Sequence, residues 1–495
     1  MTDLIQKQEL KRFLTLKSRE LFGIDLRSLA LFRIALGLLI IADLAIRSFS
    51  LKSFYTDQSL LPRHLAIWGF SGEWDLSLNF LSGTLTVQIV LFLIAGILGL
   101  FLILGYQTRW VTFLSWFFIL SLQHRNTLVN EGSDFILRLL LFWGIFVPLG
   151  ARFSLDHLLK SQQKKIPKSV LSVGTAVLLL QTSIIYLFAV WAKSRSDVWQ
   201  NGTAAYYALS LEHFSTPIGH SLLRFPGLLR NLTYAVFGTE LICSLLLFVP
   251  VFTAFFRIVA ILALFALQLG FGACLDLNLF PWISFAATLP FIPSCFWDRF
   301  SGNWVHGEKT LKGILNKLTA GPDHFQLSRW TSFFVVYCFV FILTTNLELV
   351  TGRTLIPKEL RWTGEILDID QGWNMFVPPG TQSYWFVIPG KLKDGSEVDL
   401  FNDGEPVSWE KPASLLKRIK NRHWRGYLLT LWGRSDLLSP YLGTYLCSQW
   451  NQHHSGEKQV TELDIYGMSQ ENLFPPQSTV PQKQFLFHHP CESTA

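Results

Sequence analysis

Nine apolar runs constrain this chain more than any other feature. They fall at roughly 28–46, 84–106, 109–123, 134–150, 169–192, 232–253, 257–274, 279–294 and 330–348. About 20 apolar residues span a bilayer core as a helix, and inside hydrocarbon only a helix or a closed barrel satisfies its own backbone. The third, fourth and eighth runs are short, so their ends reach into the interface or the bilayer thins around them. Only Leu275, Asp276, Leu277 and Asn278 separate the seventh run from the eighth, and Pro281, Pro290 and Pro293 interrupt the eighth. The expected architecture is an all-α polytopic membrane bundle of about nine transmembrane helices, followed by a small C-terminal α+β domain outside the cytoplasm.

Composition agrees. Half of the 495 residues are hydrophobic and 16% are charged, against roughly 25% in soluble domains. The net charge of +7 suits loops facing an anionic leaflet. No basic cluster is interleaved with exposed aromatics, so nucleic acid is not an expected partner; the lipid bilayer is. The first 27 residues are polar and charged, and no cleavable signal peptide is visible. Leu4, Leu10, Phe13, Leu14, Leu21 and Phe22 alternate with Lys and Arg there, as in a helix lying on the inner membrane surface. With the N-terminus inside, the inner segments hold about 18 Lys and Arg against about eight in the outer links, which satisfies the positive-inside rule. Nine spans then leave the tail outside.

The expected units are a cytosolic entry helix (1–27), a transmembrane domain (28–348), an extracytoplasmic α+β domain (349–473) and a loose Pro-, Gln- and His-rich end (474–495). In the third unit, Lys393, Asp394, Gly395 and Ser396, flanked by the stretches 384–388 and 397–401, signal a hairpin. Ser439 and Pro440 read as a helix start, and 460–466 alternates like a strand. Cys447 and Cys491 lie in this outer region and can pair in an oxidising compartment. Cys243, Cys274, Cys295 and Cys338 lie in or beside spans as small apolar packers. No cysteine–histidine spacing suggests a metal.

Charged residues inside spans are costly and usually face the bundle interior or water. Arg33 can snorkel toward the inner surface. Asp134 and Arg138 are four apart and can pair along one helix face. Glu240 lies deeper, as a buried partner or a proton-handling group. The outer link from Gln123 through His124, Arg125 and Asn126 to Asp134 packs polar groups densely between two spans. The topology puts this link, the loop 47–83 and Lys193 on one membrane face, where they can enclose a site open to the outside. Lys193 ends the fifth run. It either anchors the helix at the interface or, partly desolvated, gives up its proton and acts as a base.

Several motifs carry a resemblance. They are Tyr55 to Asp57 with Leu61, Pro62 and Arg63; His124 through Asp134; Leu149 to Ser154; Tyr186, Lys193 and Trp199 running on to Tyr207 and Ala208; Trp373 to Phe376 with Pro378 and Pro379; and the strand pair after Gly390. In this order they resemble the HTTM family, which includes the vitamin K-dependent γ-glutamyl carboxylase. The resemblance implies a lyase-type activity: quinol-linked carboxylation of Glu side chains on a secreted protein or peptide, with Lys193 as the catalytic base. It implies reduced vitamin K or another lipid quinol with O2 and CO2 as cofactors, and no metal. His124, Arg125, Asn126, Asp134, Trp199, Tyr207 and Glu240 are the expected pocket residues. Ala192 precedes a single Lys193 where the carboxylase has two adjacent lysines. The competing expectation is a non-enzymatic membrane partner in the binding or maturation of a secreted peptide or lipid, with Lys193 as an anchor.

Overall fold

The computed structural model describes residues 6, 15–159, 167–299, 325, 327–475, 477 and 479–491. Residues 15–22 are helical. The expected entry helix ends there rather than at residue 27, because Ile24 and Asp25 pair as a strand with Ser169 and Val170; its residues 1–5 and 7–14, and most of the basic segment 295–329, lie outside the described residues.

The nine apolar runs give helices α1 (Leu26–Ser48), α2 (Leu85–Leu104), α3 (Thr108–Arg125), α4 (Gly132–Gly144), α5 (Val173–Ser194), α6 (Pro226–Leu246), α7 (Thr253–Cys274), α8 (Phe280–Ala286) and α9 (Arg329–Thr351). Five of them, α1, α2, α5, α7 and α9, are long and apolar enough to cross a membrane. The expected nine is thus not reached on length and composition. The 13 residues of α4 rise only about 20 Å, short of a hydrocarbon core of about 30 Å. α8 carries Pro281 in its first turn and gives way to a 3-10 turn at Leu289–Phe291. α3 and α6 are longer, but α3 ends on Gln123, His124 and Arg125, and α6 carries Arg230 and Glu240.

Local chemistry sets the helix ends. Asp25 accepts the Arg27 amide at the start of α1. Ser172 and Thr175 exchange side-chain and backbone hydrogen bonds at the start of α5, a reciprocal cap. Pro226 opens α6, where its missing N–H costs nothing. α1 and α2 cross closely at Gly37, where a Cβ would lie 2.7 Å from the Gly99 carbonyl; small residues let membrane helices approach this way. α5 packs against α6 and α9, and α6 against α7.

Two expectations about buried charge are corrected. Arg33 does not snorkel: it is fully buried and donates to the carbonyls of Ile103, Leu149, Arg152 and Phe153. A turn that leaves several carbonyls unpaired inside protein is a better partner than the interface. Asp134 and Arg138 do not pair along α4. Asp134 binds Arg47 and the Glu131 amide, and Arg138 binds Asp368.

After α9 the chain forms a five-stranded antiparallel sheet: β3 (Gln382–Val387), β4 (Pro389–Leu392), β5 (Glu397–Asp399), β6 (Val460–Glu471) and β7 (Gln482–Pro490), preceded in the bundle by the short pair β1 (Ile24–Asp25) and β2 (Ser169–Val170). β6 is the spine. It pairs β3 and β4 along one edge and β7 along the other. The hairpin at Lys393–Ser396 forms, with Gly395 at φ +85°. The stretch 384–388 nonetheless joins β6 rather than the strand after the turn. α10 (Arg422–Gly433) and α11 (Ser435–His453) pack on the domain. α11 starts four residues before Ser439, with Asp436 in its first turn, where a carboxylate suits the helix dipole. Pro440 lies inside and forgoes one backbone bond.

The expected loose end is corrected as well. Residues 482–490 are β7, held by β6 and by a disulfide from Cys491 to Cys447 on α11. Phe485, Leu486 and Phe487 supply the apolar residues that a Pro- and Gln-rich composition conceals.

Candidate functional site

The last turn of α5 points Lys193 into a cavity of about 550 Å³ between α5, α6, α7 and the loops beyond them. The helix spacing explains the wall. Thr182, Tyr186, Ala189 and Lys193 fall on one face of α5, and Val236 and Glu240 on one face of α6, because residues three and four apart share a face. Among the described residues that line the cavity, only Lys193 and Glu240 are charged. They are buried, and the Lys193 ammonium donates directly to Glu240 Oε2. Most of the remaining wall is apolar, including Ala235, Leu267, Phe271 and Leu277.

Trp199 closes the end beside Lys193. After α5 a short helix, Asp197–Gln200, folds back so that the Lys193 Nζ lies 4.6 Å from the centroid of the Trp199 ring. The Trp199 indole donates to the Phe376 carbonyl at 2.9 Å. That bond ties the loop after α5 to the stretch 368–376. Asn346 of α9 holds the same stretch, accepting from the Trp373 amide and donating to the Gln371 carbonyl. Trp373, Met375 and Phe376 then complete the wall. Gly132 lets Met375 approach, since a Cβ there would lie 2.2 Å from its sulfur.

Two polar atoms on lining residues stay unpaired among the described residues. Gln268 Oε1 and Trp373 Nε1 are buried without a hydrogen-bond partner, while Gln268 Nε2 donates to the Tyr186 hydroxyl at 3.3 Å. Leaving such groups unmade costs roughly 1–3 kcal/mol each. A mostly apolar cavity with one ion pair at its wall fits a ligand with an apolar body and a polar group. Its volume lies in the usual range for small-molecule sites. Among the described residues, no group of three or more His, Cys, Asp or Glu is arranged to hold a metal ion.

The other expected pocket residues form different networks. His124 sits between the Leu76 carbonyl and Asp368, each at 3.1 Å, with Asp75 at 3.7 Å. Burial pushes the Asp368 carboxyl up, but Arg138 and His124 outweigh it and hold it below the usual value. Burial and then Asp368 push Asp370 up. Arg125 donates to the carbonyls of Leu61 and Thr56, and Asn126 to that of Phe54. Asp134 joins Arg47, Asp43 and Arg422 in a buried network linking α1, α4 and α10. Tyr207 packs edge-on against Tyr206, with centroids 5.7 Å apart, beside wall residues Ala204, Ala205 and Ala208. The structure therefore brings together Lys193, Trp199 and Glu240. The His124 link connects to them through the stretch 368–376, whose near end binds His124 and whose far end lines the cavity.

Tyr186, Gln268, Trp373, Met375 and Phe376 were absent from the expected site. Tyr186 lies seven residues before Lys193, hence on its face of α5, and Gln268 is a polar residue inside an apolar run. Both signals were available. The approach of 373–376, from far along the chain, had no local signal.

No curated protein and no solved structure matched the chain. The model of the HTTM domain matches residues 23–297, more than half of the sequence. That span contains α1 to α8, the Lys193–Glu240 pair and Trp199. The chain is an integral membrane protein, and it belongs to the HTTM-domain family.

Proposed function

We propose that this protein is a membrane enzyme resembling the vitamin K-dependent γ-carboxylase, and that its cavity takes a lipid quinol. One observation carries the reading: a buried Lys193–Glu240 pair lies at the polar end of an otherwise apolar cavity. The quinol, when bound and oxygenated by O2, supplies a base strong enough to remove a carbon-bound proton from a Glu side chain, to which CO2 then adds. The protein's own residues do simpler work. Tyr186, Gln268 and Trp373 offer hydrogen bonds that orient a ring. Lys193 and Glu240 handle a hydroxyl proton. Phe271, Phe376 and Trp199 exclude water, which would quench a carbanion.

The topology belongs to the same proposal. All nine runs cross or enter the bilayer, the N-terminus is cytosolic, and the C-terminal domain lies outside. The cation count supports this, and so does a disulfide in the tail, since disulfides persist in oxidising compartments. The protein substrate would be a secreted Glu-containing chain meeting the outer face.

Lys193→Ala in membranes supplied with reduced naphthoquinone and O2 should abolish quinone epoxide formation. An unchanged rate would remove the enzyme assignment and leave a membrane binding partner.

A further inference from the structure

We propose that Glu240, rather than Lys193, receives the ligand's hydroxyl proton, and that Lys193 stays charged to hold the oxygen left behind. This rests on the cavity reading above and reassigns the roles within it.

The ammonium is already engaged twice. It donates to Glu240 Oε2, and it lies over the face of Trp199. An aromatic face attracts a cation. An ammonium has three donors and no acceptor, so Lys193 must first lose a proton, and both contacts with it, to serve as a base. Glu240 needs no such step. Lys193 uses its Oε2, and among the described residues no hydrogen bond engages its Oε1. The neighbouring ionisable side chains are Tyr186 on α5 and Cys243 on α6, and α7 contributes the neutral Gln268.

Charge balance points the same way. When a ligand O–H gives its proton to the Glu240 carboxylate, the O–H bond breaks and a carboxylic O–H bond forms. The negative charge moves from Glu240 to the ligand oxygen, and Lys193 faces it in both states. The pair carries no net charge before the transfer, and pair plus ligand carry none after it. A neutral Lys193 beside an ionised Glu240 would instead become one cation facing two anions after transfer, a net negative charge in an apolar cavity.

A naphthol whose fluorescence distinguishes its neutral and ionised forms tests the assignment on the full chain in detergent at pH 7. Wild type and Lys193→Arg should bind it as the anion, since a guanidinium keeps the charge and cannot be deprotonated. Glu240→Gln leaves Lys193 unpaired, which still favours the bound anion, but no carboxylate then receives the proton: about one proton per ligand should appear in the buffer, against about none from wild type and Lys193→Arg. Glu240→Asp, which keeps a carboxylate, should again retain the proton. Loss of the anion signal in Lys193→Arg, or equal proton release from wild type and Glu240→Gln, would overturn the proposal. Should Glu240→Gln not fold, the Lys193→Arg signal alone decides. Absence of any naphthol binding to wild type would instead overturn the cavity reading.

Discussion

Lys193 and Glu240 are each a poor tenant of an apolar interior and a good partner for the other. Removing one member of such a pair leaves an uncompensated buried charge, which typically costs about 3–5 kcal/mol; replacing both with apolar groups of similar volume is often neutral or better. Lys193→Met and Glu240→Leu should therefore each lower the thermal unfolding midpoint in detergent, and the double variant should recover most of the loss. Two additive losses would show that the pair is not coupled. His213 gives a second test outside the membrane helices. Burial, and then Arg425, push its imidazole down to about 4 from an ordinary 6.5. The unfolded chain then binds a proton that the folded one refuses. Stability is full above pH 6.5 and declines as the pH falls from there toward 4, by on the order of 3 kcal/mol. Unfolding midpoints across that window should fall less in His213→Gln than in wild type. An identical slope would contradict the account.

Helices and strands differ in how far their sequences announce them. The apolar runs predicted α1 to α9, because a long, mostly apolar stretch in a membrane leaves the backbone little choice. The number that cross was less legible, since α4 and α8 are short and α3 and α6 carry polar groups that composition cannot place on a face. β6 was visible by alternation. β7 was not, because its Pro, Gln and His neighbours mask a strand stabilised by β6 and by Cys491. That linkage is testable. Cys491→Ser removes a crosslink between Cys447 and Cys491, 44 residues apart, of a kind usually worth about 2–4 kcal/mol. β7 should then exchange its amides faster, while α1 to α9 remain protected. Unchanged exchange in β7 would mean that strand pairing alone holds it.

The whole molecule couples its C-terminal domain to the bundle through buried charge. Arg422 reaches Asp43 of α1, and Arg425 reaches Glu131 and Asp276 beside the cavity. The sequence placed Lys193, the His124 link and the loop 47–83 at one end of the bundle, but it could not show that they divide into separate networks. Lys193 and Trp199 meet where the chain folds back after α5, and Glu240 joins them through the packing of α5 on α6. Trp373 to Phe376 arrive from beyond α9. Tertiary contact of this kind has no period or spacing to read. The central claim is that this meeting point is a lipid-ligand cavity. A photoreactive naphthoquinone, activated in native membranes and mapped by mass spectrometry, tests it most directly. Labelling should concentrate on 182–193, 232–240 and 263–277 and be competed away by unlabelled naphthoquinone. Uncompeted labelling spread over the lipid-facing surface of α2, with those three segments unmodified, would contradict it.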